Sequence, residues 1–155
     1  MKKKLIIITI LYLFLDVITK RIAVKYITDL TVIPGLFSLT LAKNSGAAFS
    51  ILEGKSLALS LVSIFVVIYL VWLVKNNKLS KLQLFGYSLL LAGIVGNLID
   101  RLCYKYVIDF IHFHIGSYSF PIFNVADIGI VVGTGLLLLD IILDEKRKKN
   151  EGSSK

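Results

Sequence analysis

The chain has 155 residues, of which 56% are hydrophobic and only 18% charged, with a mean hydropathy of +0.80. A soluble domain of this length carries about a quarter charged residues, so an ordinary water-soluble fold is excluded and an all-α membrane protein is expected. One cysteine, Cys103, excludes an internal disulfide, and the net charge of +8 is clustered in a way that argues against a nucleic-acid surface.

Met1 to Lys4 is a positive cap ahead of an apolar run over about 5–27. The run is long, lacks a small-x-small cleavage site and carries Asp16 and Lys20, so it reads as a retained transmembrane helix and not a signal peptide. At 100° per residue Thr9, Tyr12, Asp16, Thr19 and Lys20 fall on one face, giving a polar stripe to turn inward. Asp16 and Lys20 also form an i,i+4 pair.

Residues 28–56 do not span. Pro34-Gly35 marks a turn, Leu36 to Leu41 alternates as a strand does, Asn44-Ser45-Gly46 reads as a second turn, and Ala47 to Leu52 as a second short strand. These few charges and many apolar side chains predict a small sheet resting on the membrane surface. Residues 57–74 form an uninterrupted apolar helix, with Ser56, Ser60 and Ser63 as small packing residues and Trp72 as an interfacial anchor. A basic loop, 75–81, follows.

The third helix covers about 82–102. Gly86, Gly93, Asn97 and Asp100 share one face, with Gly96 and Arg101 at its margins, so a close helix neighbour and an inward polar cluster are expected. Residues 103–124 read as an aromatic-rich loop at headgroup level. Its His112-x-His114 pair lacks the third and fourth ligands a zinc site needs, so no metal and no cofactor are expected. The fourth helix runs over 125–143, with Asn124 as N-cap, Asp127 in its first turn, and Gly129 and Gly133 packing on the face opposite Asp127. Residues 144–155 read as a mobile charged tail.

Two carboxylates stand out. Asp109 is flanked by Ile108 and Phe110, and Asp127 by Ala126 and Ile128. Carboxylates beside a membrane resist ionising and are rare unless they face a partner or a wet site. Brought together, two would share one proton, the electronic arrangement of an aspartic protease. The competing reading is that each merely marks a helix end.

The charge distribution supplies a topology. With both chain ends and residues 75–81 on the cytoplasmic side, eleven lysines and arginines face three acidic residues there, and the rest of the chain is neutral. This is the positive-inside pattern. The loops 28–56 and 103–124 then lie outside, and residues 1–155 make one integral membrane domain.

Five groups of residues together resemble the lipoprotein signal peptidases (signal peptidase II). They are Asp16-x-x-Thr-Lys20, Lys43-Asn44-Ser-Gly46-Ala-Ala-Phe49, Gly96-Asn97-Leu-Ile-Asp100-Arg101, Val-Ile-Asp109-Phe and Phe-Asn124-Val-Ala-Asp127. Lys43 stands where that family commonly has arginine, Ile128 where serine is common, and Tyr106 where glycine is frequent. The resemblance implies four transmembrane helices with an extracytoplasmic β-cradle, in the bacterial plasma membrane. It implies an intramembrane aspartic endopeptidase that cuts diacylglyceryl-modified prolipoproteins just before the lipidated cysteine. It also implies Asp109 and Asp127 as the catalytic pair, supported by Asp16, Lys20, Asn44, Gly46, Asn97, Asp100, Arg101 and Asn124. The implied partners are the lipid-modified precursor and membrane lipid, with no nucleic acid. Two other classes fit the composition: a small proton-coupled transporter subunit, which would show an inverted repeat that is not visible here, and a non-enzymatic membrane scaffold.

Overall fold

The computed structural model describes residues 2–46, 54–116 and 118–152. Helix α1 (Lys2–Tyr26) leads into strands β1 (Asp29–Ile33) and β2 (Phe37–Asn44). Helices α2 (Ser56–Asn76) and α3 (Lys81–Tyr104) follow, then β3 (Val107–Ile115), β4 (Tyr118–Ser119) and α4 (Val125–Gly152). The chain is thus mostly helical with a small antiparallel sheet. Three helices, α2, α3 and α4, are long and apolar enough to cross a membrane. Helix α1 is as long but carries Asp16, Lys20 and Arg21 within its apolar stretch.

Helix α3 is central and packs against each of the other helices. Its approach to α4 is close because glycine faces glycine: a Cβ on Gly133 would lie 2.7 Å from the Gly86 carbonyl oxygen. One end of the bundle is apolar, built on Leu5, Leu70, Val74, Leu84 and Leu91. The surface is apolar as well, with Ile10, Phe14, Leu61, Phe65, Val131 and Leu138 all exposed. The largest side chains hidden completely are polar instead: Lys20, Asn124, Asp16 and Ser88. A soluble protein has the reverse distribution, and this one suits a hydrocarbon surrounding.

The sheet has the order β1-β2-β3-β4. Pro34-Gly35 turns the β1–β2 hairpin as expected, with the Leu36 N–H donating to Ile33 O at 3.1 Å. Strand β2 pairs with β3 from Phe37↔Phe113 to Asn44↔Val107, with an irregularity between Leu39 and Ala42. Residues opposite one another share a face, so Phe37, Leu39, Ala42 and Asn44 lie beside Phe113, Ile111, Asp109 and Val107.

Several expectations need correction. The region expected as a loop over 103–124 contains the nine-residue strand β3. Its alternation is masked in sequence because Asp109 interrupts one apolar face while Ile108 and Phe110 occupy the face that later bears the histidines. Strand β1 was not anticipated, and β2 extends to Asn44, so that residue ends a strand before the turn. The charged tail is not a separate segment, since α4 continues to Gly152. Glu, Lys and Arg are good helix formers, and Asp144 pairs with Lys148 at 2.8 Å across one turn. The strand expected over Ala47 to Leu52 lies outside the described residues.

Candidate active site

The start of α4 is the anchor. Asn124 Oδ1 accepts from the Asp127 N–H at 2.9 Å, and the Asn124 N–H donates to Asp127 Oδ2 at 3.1 Å. This reciprocal cap satisfies two orphan backbone donors and fixes both side chains at once. The two hydrogens left on Asn124 Nδ2 point elsewhere: to Asp109 Oδ1 at 2.7 Å and to Asn97 Oδ1 at 3.1 Å. Asn97 Nδ2 in turn donates to Asp127 Oδ1 at 2.8 Å. One asparagine therefore touches both aspartates, one through its amide and one through the helix cap.

Asp109 arrives on β3 and is only 2% exposed. Its second oxygen accepts from Asn44 Nδ2 at 3.0 Å, across the β2–β3 ladder. Asn44 is itself oriented by the Gly46 N–H, which donates to Asn44 Oδ1 at 2.9 Å. The Gly46 carbonyl accepts from Arg101 Nη2 at 2.9 Å. Asp127 is half-buried and opens on a cleft of about 790 Å³ whose walls include Lys43, Ser63, Arg101, Phe120, Ile130 and Val131. Burial, reinforced by the like charge of Asp127, pushes the Asp109 carboxyl up to about 7, while Asn44, Asn124 and Lys20 pull the other way. Asp109 is thus held toward its protonated form over the range in which an ordinary aspartate is already ionised. A group that holds a proton beside another carboxylate has the makings of an acid–base pair.

Beneath this pair lies a charged layer. Lys20 Nζ sits 2.9 Å from Asp16 Oδ2 and 2.9 Å from Asp100 Oδ2, and donates to Asn97 Oδ1 at 3.0 Å. The Asp16 contact is an ion pair without hydrogen-bond alignment, which leaves Asp16 Oδ2 with no hydrogen-bond partner. Asp16 Oδ1 accepts from the Ala126 N–H at 2.8 Å, tying α1 to the first turn of α4. Asp100 Oδ2 accepts from the Ile108 N–H at 3.2 Å, tying the end of α3 to β3. A Cβ on Gly96 would come 2.5 Å from Asp16 Oδ2, which is why only glycine fits there.

The structure brings together every residue singled out in sequence as catalytic or supporting: Asp16, Lys20, Asn44, Gly46, Asn97, Asp100, Arg101, Asp109, Asn124 and Asp127 form one connected set. Tyr12, identified only as part of a polar stripe, also belongs, because its hydroxyl donates to Val125 O at 2.8 Å. Ser63, assigned to packing, lines the cleft while its hydroxyl bonds its own helix at Leu59 O. The apolar cleft wall, Ile94 of α3 with Ile130, Val131 and Val132 of α4, carries no sequence signal that separates it from lipid-facing surface. His112 and His114 stand on the opposite face of β3 from Asp109, bonded to Ser119 at 2.7 Å and Ser38 at 3.3 Å. Among the described residues no group of three or more His, Cys, Asp or Glu could hold a metal ion.

Comparison with known proteins places the chain in a family. A family model described as signal peptidase (SPase) II matches residues 8–143. The chain belongs to the signal peptidase II family. A protein named lipoprotein signal peptidase from Clostridium tetani is 41% identical over 148 residues, covering 90% of this chain and 93% of the relative. Another of the same name, from Ralstonia nicotianae, is 39% identical over 137 residues, with coverage of 84% and 79%. A solved bacterial membrane enzyme superposes with a TM-score of 0.86 at 33% identity, covering 94% of this chain and 92% of that one. Family membership and the apolar helices together make this signal peptidase II homologue a bacterial membrane peptidase.

Proposed function

We propose that this signal peptidase II homologue is an intramembrane aspartic endopeptidase that releases the signal peptide of diacylglyceryl-modified prolipoproteins, cutting before the lipidated cysteine. The observation that carries the reading is the Asn124 bridge, which couples Asp109 on β3 to Asp127 on α4 at the wall of an open cleft. Peptide hydrolysis by such a pair needs one carboxylate as base and one as acid. The ionised member takes a proton from water, and the resulting hydroxyl attacks the scissile carbonyl. The protonated member gives its proton toward the carbonyl oxygen. Collapse of the tetrahedral species returns a proton to the leaving amine. Asn44, Asn97 and Asn124 spend their N–H groups on the carboxylates and hold them for both steps.

The cleft suits a substrate that is part peptide and part lipid. Its sheet side offers Lys43, Asn44 and Arg101, and its helix side offers Ile130, Val131 and Val132. Acyl chains could lie against the helices while the precursor backbone enters beside the sheet. All four helices span in this reading. Helix α1 is 25 residues long, about 37 Å at 1.5 Å per residue, enough for a hydrocarbon core of about 30 Å. Its cationic end meets that of α2, where Lys2 Nζ donates to Lys75 O at 2.6 Å, consistent with both lying on the cytoplasmic side.

Purified protein in micelles, mixed with a lipidated precursor, is expected to yield the shortened lipoprotein, and not to process the same precursor lacking its diacylglyceryl group. Failure on the lipidated form overturns the reading. External cysteine labelling is expected to reach a probe at Ser45 and miss one at Asn77. The reverse pattern overturns the orientation.

A further inference from the structure

We infer that Lys20 is a positioning residue for the reaction: its buried ammonium fixes the orientation of the Asn97 amide and thereby makes Asn97 a donor to Asp127. The inference rests on the two-aspartate reading above and adds a role for a side chain that never reaches the cleft.

An asparagine amide can sit in either of two orientations, so something of fixed polarity must choose between them. For Asn44 the chooser is the Gly46 N–H, and for Asn124 it is the Asp127 N–H. Both are backbone donors. Asn97 has no such backbone donor at its oxygen. Its Oδ1 receives Lys20 Nζ at 3.0 Å and Asn124 Nδ2 at 3.1 Å, which turns its Nδ2 toward Asp127 Oδ1 at 2.8 Å. An ammonium can only donate, so the Lys20 contact admits nothing but the amide oxygen, and the Asn124 amide, itself fixed by the Asp127 N–H, donates to the same atom.

The geometry around Lys20 is also not that of a simple ion pair. Three oxygens of three different side chains lie within 3.0 Å of Nζ, two from carboxylates and one from the amide of Asn97. The two carboxylates, Asp16 and Asp100, make it acceptable to bury the cation. An ammonium has three hydrogens, so one remains for the amide. A charged donor at one end of an amide polarises it and strengthens the N–H donated from the other end. The charge of Lys20 is thus delivered to the aspartate pair through one side chain. The ionisable groups around this link are Asp16 on α1, Asp100 and Arg101 on α3, Asp109 on β3 and Asp127 on α4.

The test is the variant Asp16→Asn/Lys20→Met, which removes one charge of each sign and leaves the net charge of the buried layer unchanged. With a lipidated precursor in micelles, kcat is expected to fall roughly 10- to 100-fold, as loss of an outer partner of a reactive group generally does. KM should stay within about twofold, and the neutral limb of the pH–rate profile should move to higher pH, because of the two charges removed it is Lys20, and not Asp16, that acts on the Asp109 carboxyl. A folded variant with unchanged kcat and an unmoved profile would show Lys20 to be only structural. Should that variant not fold, the native enzyme gives the answer: with selective 15N labelling, the Lys20 Nζ and Asn97 Nδ2 signals must both move through the neutral titration step of the aspartates. A Lys20 signal indifferent to that step overturns the inference. Native enzyme that titrates in this way but cleaves no lipidated precursor would instead count against the proposed reaction and leave the link standing.

Discussion

The starts of α3 and α4 are closed by the same reciprocal hydrogen-bond motif and use it for different ends. At α3, Ser80 Oγ accepts from the Gln83 N–H and the Ser80 N–H donates to Gln83 Oε1, both at 3.1 Å. That cap is exposed, and its spare hydroxyl hydrogen goes to Asp140 Oδ1 at 2.6 Å, stapling the loop before α3 to a distant turn of α4. At α4 the motif is Asn124 with Asp127, and Asn124 is fully buried. A hydroxyl has one hydrogen to spare after capping, whereas an amide has two. The difference in chemistry lets the second cap reach two further partners and assemble a site, where the first merely ends a loop. A rigid local device thus stands where the proposed reaction needs rigidity for proton transfer.

Removing the acids breaks that contrast most severely. Asp109→Asn and Asp127→Asn are each expected to lower cleavage by at least about 10³-fold, with near-normal expression and substrate binding, and the double variant should be no worse than either alone because the carboxylates act as one unit. Turnover and binding of a lipidated precursor, measured side by side, check this, and substantial turnover in either single variant would end the two-aspartate mechanism.

Asn124→Ala comes next. It removes a cap, a bridge to Asp109 and a bridge to Asn97, so a loss of about 10²-fold in kcat is expected, as for removal of a single preorganised donor. A destabilisation of about 2 kcal/mol, at the upper end for N-caps, should accompany it. Thermal unfolding in micelles and steady-state kinetics on one preparation would separate the two effects.

Gly96→Ala probes the layer beneath. The added methyl must displace Asp16 Oδ2, and overpacking of this kind costs about 1–3 kcal/mol. Activity should fall together with stability, checked by thermal unfolding and steady-state kinetics on the same preparation.

The pH dependence gives a smaller, graded test. Asp109 is held above its ordinary value, so folding favours its protonated form. Stability from this group is therefore greatest below about pH 4, the unfolded value, and declines as pH rises toward 7. Cleavage should fall above about pH 7 as the shared proton is lost. In Asp127→Asn the like charge is gone, and carboxyl 13C titration should find Asp109 lower, though burial keeps it above an exposed aspartate. An unchanged Asp109 titration would mean that the two carboxylates do not feel each other. The smallest effect belongs to Ser80→Ala, expected to cost about 1 kcal/mol and to leave kcat unchanged.

Much of this was legible in the sequence. Asp16 and Lys20 declared themselves through i,i+4 spacing on a polar stripe, and Asn124 with Asp127 through cap chemistry at a helix start. What failed to show was partnership across distance. Nothing local to Lys20 names Asn97, and nothing local to Asp100 names the Ile108 N–H, because those bonds depend on how α1, α3 and β3 are stacked. Strand β3 was missed for a related reason: its period-2 pattern is broken by the buried polar residue that matters most, Asp109. The extension of α4 was hidden by composition, since a run of charges reads equally well as a solvated helix or a loose tail.

The buried charges also set a schedule for biosynthesis. Lys20 finds its amide partner 77 residues later in the chain, and Asp16 finds its backbone donor 110 residues later. At a translation rate of about 5–20 residues per second, α1 is complete roughly 5–20 s before the Ala126 N–H is made. During that wait Asp16 and Lys20 have each other across one helical turn. In the four-span reading proposed above, stable burial of α1 in the bilayer is therefore a late event, completed when α3 and then α4 arrive.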